Sequence, residues 1–344
     1  MASTLHDVAR LAGVSIKTVS NVINDYPHIR PATKAKVEQA IADLGYTPNL
    51  TARSLRSGRT GAIALAVPEL GLSYFAELAA AVIEAAEEAG LVVLVEQTGG
   101  DRDRELELLR SPRLQMTDGL IFSALGMGQD DAEHLHRPYP LVLLGERIFD
   151  APVDHVTMRN VEAARTATEY LLASGRRRIA VVGAHPGEVI GSAGLRLRGY
   201  REALESAGVP YDDSIISETT TWHRANGARG MRDLLDRGVT FDAVFGLNDT
   251  LALGAMRVLQ EAGIHVPADV SVIGFDGLDE AQYSIPSLTT VDPGQRWIAR
   301  TAVATLLERI QRTDAAGEPR LLLADFHVVE RESAPSKAMI GAEV

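Results

Sequence analysis

Residues 13–26 read GVSIKTVSNVINDY, and this stretch decides how the first part of the chain is read. Ser15 is a good helix N-cap, because its hydroxyl can accept from the free N–H groups of the first turn. Val19, Val22 and Ile23 then recur at helical spacing on one side, which is the side to be buried. Lys17, Ser20, Asn21 and Asn24 fall on the opposite side, with Ile16 at its edge. An outward face of cation, amides and hydroxyl can bond base edges and phosphates.

Working outward, Thr4-Leu5-His6-Asp7 fits a capping box opening a helix to about Ala12, and Gly13 makes the turn after it. Pro31 is a natural first helical residue and Gly45 a natural stop for a helix ending at Leu44. Within it Val37, Ala40, Ile41 and Leu44 follow the spacing of one buried helical face. Three short helices around one apolar centre form either a helix-turn-helix domain or an ordinary small bundle with a solvated face. Charge favours the first. Residues 1–60 hold eight Lys/Arg against four Asp/Glu, a net +4, while the whole chain carries −12, which leaves −16 on residues 61–344. A cationic head on an acidic body fits contact with a polyanion confined to the head.

At this point the sequence resembles a known family. TLHDVARLAGVSIKTVSNVIN (4–24) and IRPATKAKVEQAIADLGYTPNLTARSLRSGRTGAIALAVP (29–68) are similar to the lactose-repressor (LacI/GalR) family of bacterial transcription regulators, and the similarity continues through nearly the whole chain. The resemblance implies that Ile16, Lys17 and Asn21 read bases in the major groove and that Ser15, Thr18 and Ser20 hold the DNA backbone. It also implies that NLTARSLR (49–56) is a hinge helix that folds on operator DNA beside its twin from a second subunit. There Leu55 would be an apolar wedge in the minor groove, with Ala52 small enough for close helix approach. On spacing alone, eight residues are too few for a stable helix, and a flexible linker is the plainer reading.

From Gly61 onward strands and helices alternate. Segments 62–68, 91–97, 119–124, 140–145 and 155–158 read as short buried strands. A second series follows at 177–183, 242–248 and 270–276, closed by LLLADFHVVER (321–331). Helices are expected over 75–89, 160–174, 196–207, 224–237 and 249–262. The fold class is thus a small all-α helix-turn-helix head plus an α/β sensor of two doubly wound subdomains, like a periplasmic binding protein. The expected domains are 1–47 for the head, 48–60 for hinge and linker, and 61–344 for the sensor. Its N-subdomain would take about 61–159 and 289–320, and its C-subdomain about 160–288 and 321–333. LTTVD (288–292) and the helix to about Gln311 would cross back to the first subdomain. The last dozen residues read as frayed, and their lack of leucine heptads favours a dimer over a tetramer.

Ligands of such sheets lie beyond the carboxyl ends of the strands. Asp276, Asn248, Arg196, Trp222, Tyr74 and Phe75 fall there, with Ser123 and Glu146 as weaker candidates. A carboxylate, an amide and a guanidinium can bond several hydroxyls at once, and an aromatic ring can cover the apolar face of a sugar. Each also has a plainer role: Asn248 as cap of the helix starting at Asp249, Asp276 as cap of a turn into Gly277, Tyr74 and Phe75 as core. The resemblance implies that Arg196, Asn248, Asp276 and Trp222 match effector contacts. Two positions depart from it. Arg159 stands where many relatives have an acid, and Gln295 stands where the lactose-type protein has an aromatic contact.

The 344-residue chain has no Cys, so neither a disulfide framework nor thiolate chemistry is available, which suits a reducing cytoplasm. MASTLHDVAR is not a signal peptide, and no apolar run approaches membrane length. No P-loop, HExxH or GxSxG motif is present, the nine His lack metal-ligand spacing, and Gly126-Met127-Gly128 is too short for a dinucleotide fingerprint. No enzyme activity, cofactor or metal is expected. The expected partners are palindromic double-stranded operator DNA, a small sugar-like effector and a second copy of the chain. The rival reading is a sugar-binding receptor without DNA function.

Overall fold

The computed structural model describes residues 3–23, 26–46, 59–311 and 317–336. The expected DNA contacts Asn24, Ala52 and Leu55 fall outside these residues. The chain divides into two compact units, Met1–Gly61 and Ala62–Val344.

The first unit holds helices α1 (Leu5–Ala12), α2 (Ile16–Ile23) and α3 (Pro31–Leu44). Thr4 and Asp7 form the expected capping box, and Gly13 turns the chain with φ +68°. Ser15 Oγ accepts from the Thr18 amide at 3.1 Å, so the cap read from sequence is the one used. Val8, Ala9, Val19, Val22, Val37 and Ala40 form the core, closed by Tyr46, which the helical spacing did not single out. Ile23, Ile41 and Leu44 pack on it half-buried.

The second unit contains two six-stranded sheets. The first lobe is built on β1 (Ala62–Val67), β2 (Val92–Gln97), β3 (Leu120–Ser123), β4 (Leu141–Leu144), β5 (Asp154–Met158) and β11 (Leu321–Ala324), in the order β11-β5-β4-β3-β1-β2. Its helices are α4 (Ser73–Glu88) and α5 (Arg102–Arg110). The second lobe is built on β6 (Ile179–Ala184), β7 (Ile216–Glu218), β8 (Ala243–Gly246), β9 (Ser271–Phe275), β10 (Thr289–Asp292) and β12 (His327–Val329), in the order β12-β10-β9-β8-β6-β7. Helix α6 (Asn160–Ala173) enters this lobe after β5, helices α7 (Ser192–Ser206), α8 (Arg224–Asp236) and α9 (Asp249–Glu261) follow β6, β7 and β8, and α10 (Gln295–Gln311) follows β10. The inner strands β3, β4, β5, β6, β8 and β9 are buried along their whole length, as strands covered on both faces by helices require.

Four expectations change here. The run 321–331 is not one strand: β11 joins the first sheet parallel to β5, and β12 joins the second antiparallel to β10. LTTVD belongs to the second sheet, where β10 pairs parallel with β9, and only α10 returns to the first lobe. Both sheets offer an open edge of similar composition, so local pattern cannot say which one an apolar run joins. β2 is an edge strand rather than a buried one, with Val92 62% and Leu94 42% exposed. Finally, Ser333 and Ala334 are buried, and the Ser333 hydroxyl donates to Val272 O at 2.6 Å and accepts from Thr289 N at 2.8 Å. The chain therefore crosses between lobes three times, after β5, after β10 and after β11.

At the end of the first lobe away from the cleft, Asp154 is wholly buried at the start of β5. It accepts from Arg309 Nε and Nη2 at 2.7 and 2.9 Å and from Arg320 N at 2.9 Å. Burial alone would raise its carboxyl, but the bonds from Arg309 and Arg320 outweigh this and bring it down to about 2. The pair joins β5, α10 and the chain entering β11. A depressed folded-state pKa contributes stability above the unfolded value near 4, lost as pH falls towards 2 and worth about 2 kcal/mol. Asp154→Asn is expected to unfold at lower urea concentration at pH 7, by about 3 kcal/mol for one partner removed from a buried pair. Its deficit should shrink towards pH 2, and urea titrations at the two pH values check this.

Candidate functional site

The carboxyl ends of β1, β3, β4 and β5 face those of β6, β8 and β9, and between them lies a cleft with about 210 Å³ open to water. All eight residues expected from sequence line it: Tyr74, Phe75, Ser123, Glu146, Arg196, Trp222, Asn248 and Asp276.

Arg196 is the centre. Helix α7 begins four residues earlier than expected, so Arg196 is inside the helix and 2% exposed. Its Nε donates to Asn160 Oδ1 at 2.8 Å, and Nη1 donates to Leu247 O and lies 3.4 Å from Asp276 Oδ1. The guanidinium stacks 3.6 Å from the Phe275 ring centroid and 5.2 Å from that of Trp222. A buried charge costs several kcal/mol unless paired and hydrogen-bonded, and every one of these contacts offsets that cost. Trp222 is fixed in turn by its Nε1 donating to Gly183 O at 2.8 Å.

Asp276 follows β9 with φ +122°, a backbone state that residues with a Cβ rarely adopt and that costs about 1–3 kcal/mol. The turn is held from below. Leu278 N donates to Asp249 Oδ2 at 2.8 Å, Gly277 N to Thr290 Oγ1 at 3.3 Å, and the Thr290 hydroxyl to Asp249 Oδ1. Burial pushes the Asp276 carboxyl up to about 7, with Arg196 opposing and Glu146 adding to the rise. Burial likewise raises the Tyr74 phenol, with Glu146 and Asp276 adding to it, which keeps that hydroxyl a donor at neutral pH. Asn248 does cap α9, accepting from Leu251 N at 2.8 Å, so the plainer role is real and coexists with its place in the lining. Tyr74 and Phe75 meet edge to face at 5.2 Å and are half-buried against the core. Glu146 accepts from Thr157 Oγ1 at 3.3 Å and from Ser192 Oγ at 2.7 Å.

Several lining residues escaped the sequence reading. Arg147, His185, Glu188, Ser192 and His223 all border the cleft. His185 immediately follows β6, so the strand-end rule could have found it; Glu188 lies in a loop whose path no local signal gives. The Gly126 turn has a structural use instead of a nucleotide one. Buried Glu105 accepts from the amides of Leu125, Gly126 and Met127 at 2.7–3.1 Å, and a Cβ at Gly126 would meet Arg102 N at 2.4 Å. Gln295 is buried and donates to Tyr74 O at 2.9 Å, outside the lining, and Arg159 pairs loosely with Asp325 where two crossings meet.

Lys17 on α2 and Ser15 just before it are exposed, while Ile16, Thr18, Ser20 and Asn21 of the helix are half-buried. The side opposite Val19 and Val22 is therefore open, as a groove-reading helix needs.

Comparison with known proteins decides between the two readings left open by the sequence. Residues 4–49 match the model for bacterial regulatory proteins of the lacI family, and residues 168–334 match that of a periplasmic binding protein-like domain. The HTH-type transcriptional regulator CelR of Thermobifida fusca is 36% identical over 341 residues, covering 96% of this chain and 98% of that protein. The chain belongs to the LacI family of bacterial transcriptional regulators. Among solved structures, a LacI-family regulator from Sanguibacter keddieii is 54% identical, with TM-score 0.75 over 80% of this chain and 99% of that one. A CelR–cellobiose complex is 34% identical, with TM-score 0.70 over 96% and 99%. A lac repressor dimer bound to operator and an anti-inducer is 29% identical, with TM-score 0.83 over 98% and 100%. As a LacI-family member the chain is a DNA-binding transcriptional regulator and not an enzyme. No helix among the described residues is long and apolar enough to cross a membrane.

A carboxyl raised in the folded state adds stability below its unfolded value near 4 and loses it as pH rises through about 7. Asp276→Asn removes that loss, and Asn tolerates positive φ. The variant is expected to be more stable than the parent at pH 8, by about 2–4 kcal/mol, and equal to it at pH 4. Urea titrations at both pH values check the sign.

Proposed function

We propose that this protein is a homodimeric repressor that binds a palindromic operator in the bacterial cytoplasm and responds to a small sugar in its cleft. The observation that carries the effector part is the convergence of a buried cation, two buried carboxyls, an amide and three aromatic rings on one enclosed space. Donors and acceptors at fixed positions suit a polyol, and the rings of Trp222, Tyr74 and Phe75 suit the apolar face of a pyranose. The cellobiose complex of CelR and the operator-bound lac repressor dimer support the same reading by kinship. Tyr74, Phe75, Ser123, Glu146, Arg196, Trp222, Asn248 and Asp276 are the proposed effector contacts. Ser15, Ile16, Lys17, Thr18, Ser20, Asn21 and Asn24 are the proposed contacts of the reading head, with Ala52 and Leu55 at the operator centre.

In the mechanism we favour, sugar stabilises the closed arrangement of the two lobes. The first lobes of the dimer then shift, and the paired segments around Leu55 lose the geometry that the operator requires. A coupling of about 1–3 kcal/mol per site changes operator affinity from several-fold to a hundredfold. The test is a sugar panel that includes cellobiose, read by thermal shift and then by mobility shift on a palindromic operator. At least one sugar is expected to raise the melting temperature and lower operator affinity. A panel that leaves both unchanged contradicts the sugar reading, and equal affinity for operator and bulk DNA contradicts the regulator reading.

A further inference from the structure

Two consecutive residues after β4 reach across the cleft to one short segment of the opposite lobe, Glu188 and the first residue of α7, Ser192. Glu146 accepts from Ser192 Oγ at 2.7 Å, and Arg147 Nη1 donates to Glu188 Oε2 at 2.8 Å. Glu188 is a hub. Its Oε1 accepts from the amides of Ala193 and Gly194 at 3.1 and 3.2 Å, in the first turn of the helix that carries Arg196. Its Oε2 also lies 3.0 Å from His185 Nδ1, and the His185 ring packs 5.4 Å from that of Trp222. The one carboxylate therefore ties together the start of α7, a cleft-lining ring and a cation from the other lobe.

The crossings after β5, β10 and β11 all lie at one edge of the two sheets, at β11-β5 and at β12-β10. Opening about that edge pulls the opposite side apart. Glu188 follows β6, fifth of six from the crossing edge of its sheet, and Arg147 follows β4, third of six in its own, so opening about that edge pulls their contact apart. A second ion pair bridges the lobes, His223 with Glu69 at 3.3 Å, but its side chains are 38% and 41% exposed. Those of Arg147 and Glu188 are 29% and 12% exposed. Exposed pairs add little, whereas a shielded, charge-assisted bond is about twice as strong as a neutral one.

We propose that the Arg147–Glu188 pair is a latch between the lobes that sets how readily the cleft closes, and through Glu188 passes that closure to Arg196 and His185. The proposal rests on the reading of the cleft as an effector site, but the latch is measurable without any sugar. The chain has no Cys, so two introduced cysteines are labelled specifically. Asp103, in the first turn of α5 beyond β2, and Glu218, at the end of β7, are exposed, one in each lobe. The full-length Asp103→Cys/Glu218→Cys protein carries a spin label at each site, and pulsed electron paramagnetic resonance gives the distance distribution. Arg147→Met is expected to move the sugar-free distribution towards longer distances, with the closed-to-open ratio falling by about fivefold or more, as loss of roughly 1 kcal/mol implies. Arg147→Lys, which keeps the charge, is expected to retain most of the short-distance population. Circular dichroism verifies that both variants are folded. Superimposable distributions for Arg147→Met and the parent overturn the latch; failure of every sugar to bind the parent overturns the effector reading and leaves the distance result standing on its own.

Discussion

A guanidinium has to be kept charged inside a protein, and the sensor is arranged around how Arg196 meets that demand. Asn160 at the start of α6, Leu247 at the end of β8, Asp276 beyond β9 and the rings of Phe275 and Trp222 each supply one side of its surroundings. Those groups come from four separated parts of the second lobe, so the cation is satisfied only when the lobe is folded. The arrangement is also incomplete by design of its geometry: Asp276 remains partly unionised near pH 7 because Arg196 and burial pull against each other. A ligand with hydroxyls can improve on that balance, which is what a binding site offers.

The lobe architecture explains why this chemistry can be linked to a second event. Three crossings at one sheet edge leave the opposite edge free to separate. Several polar contacts cross between the lobes, among them Glu146 with Ser192, Arg147 with Glu188, Glu69 with His223, Ser73 with Glu280 and Glu77 with the Asp279 amide. Polar bridges of this kind break and reform at low cost, whereas a packed core would not. Stability is concentrated elsewhere, in the covered parallel sheets and in the buried Asp154–Arg309–Arg320 cluster at the far end of the first lobe.

Much of this was legible in the sequence because the informative signals were local. Thr4, Asp7, Ser15, Gly13 and Gly45 specify caps and stops, and the structure uses each of them as read. The eight cleft residues were found because strand ends converge in doubly wound sheets. What was missed depends on contacts distant in sequence. Which sheet receives 321–324 and which receives 327–329 is set by the free edges of two similar sheets, not by the pattern of the run itself. Val92 and Leu94 look like core by composition but lie on an edge strand. Ser333 and Ala334 look like a frayed end but are tied to Val272 and Thr289. Glu188 carries no local sequence signal, and Arg147, though it lies just past the end of β4, gains its partner only when the two lobes face each other.

The account stands or falls on Arg196 as the group that makes the cleft responsive without being needed by the reading head. Its most direct test is Arg196→Lys in a mobility-shift titration with a sugar that releases the parent protein from its operator. Lysine keeps the charge but cannot reproduce the planar fork that meets Asn160, Leu247 and Asp276 together. The account predicts operator affinity equal to the parent without sugar and no release at sugar concentrations that free the parent. Release at the same concentration, or loss of operator binding by a folded variant in the absence of sugar, would contradict it.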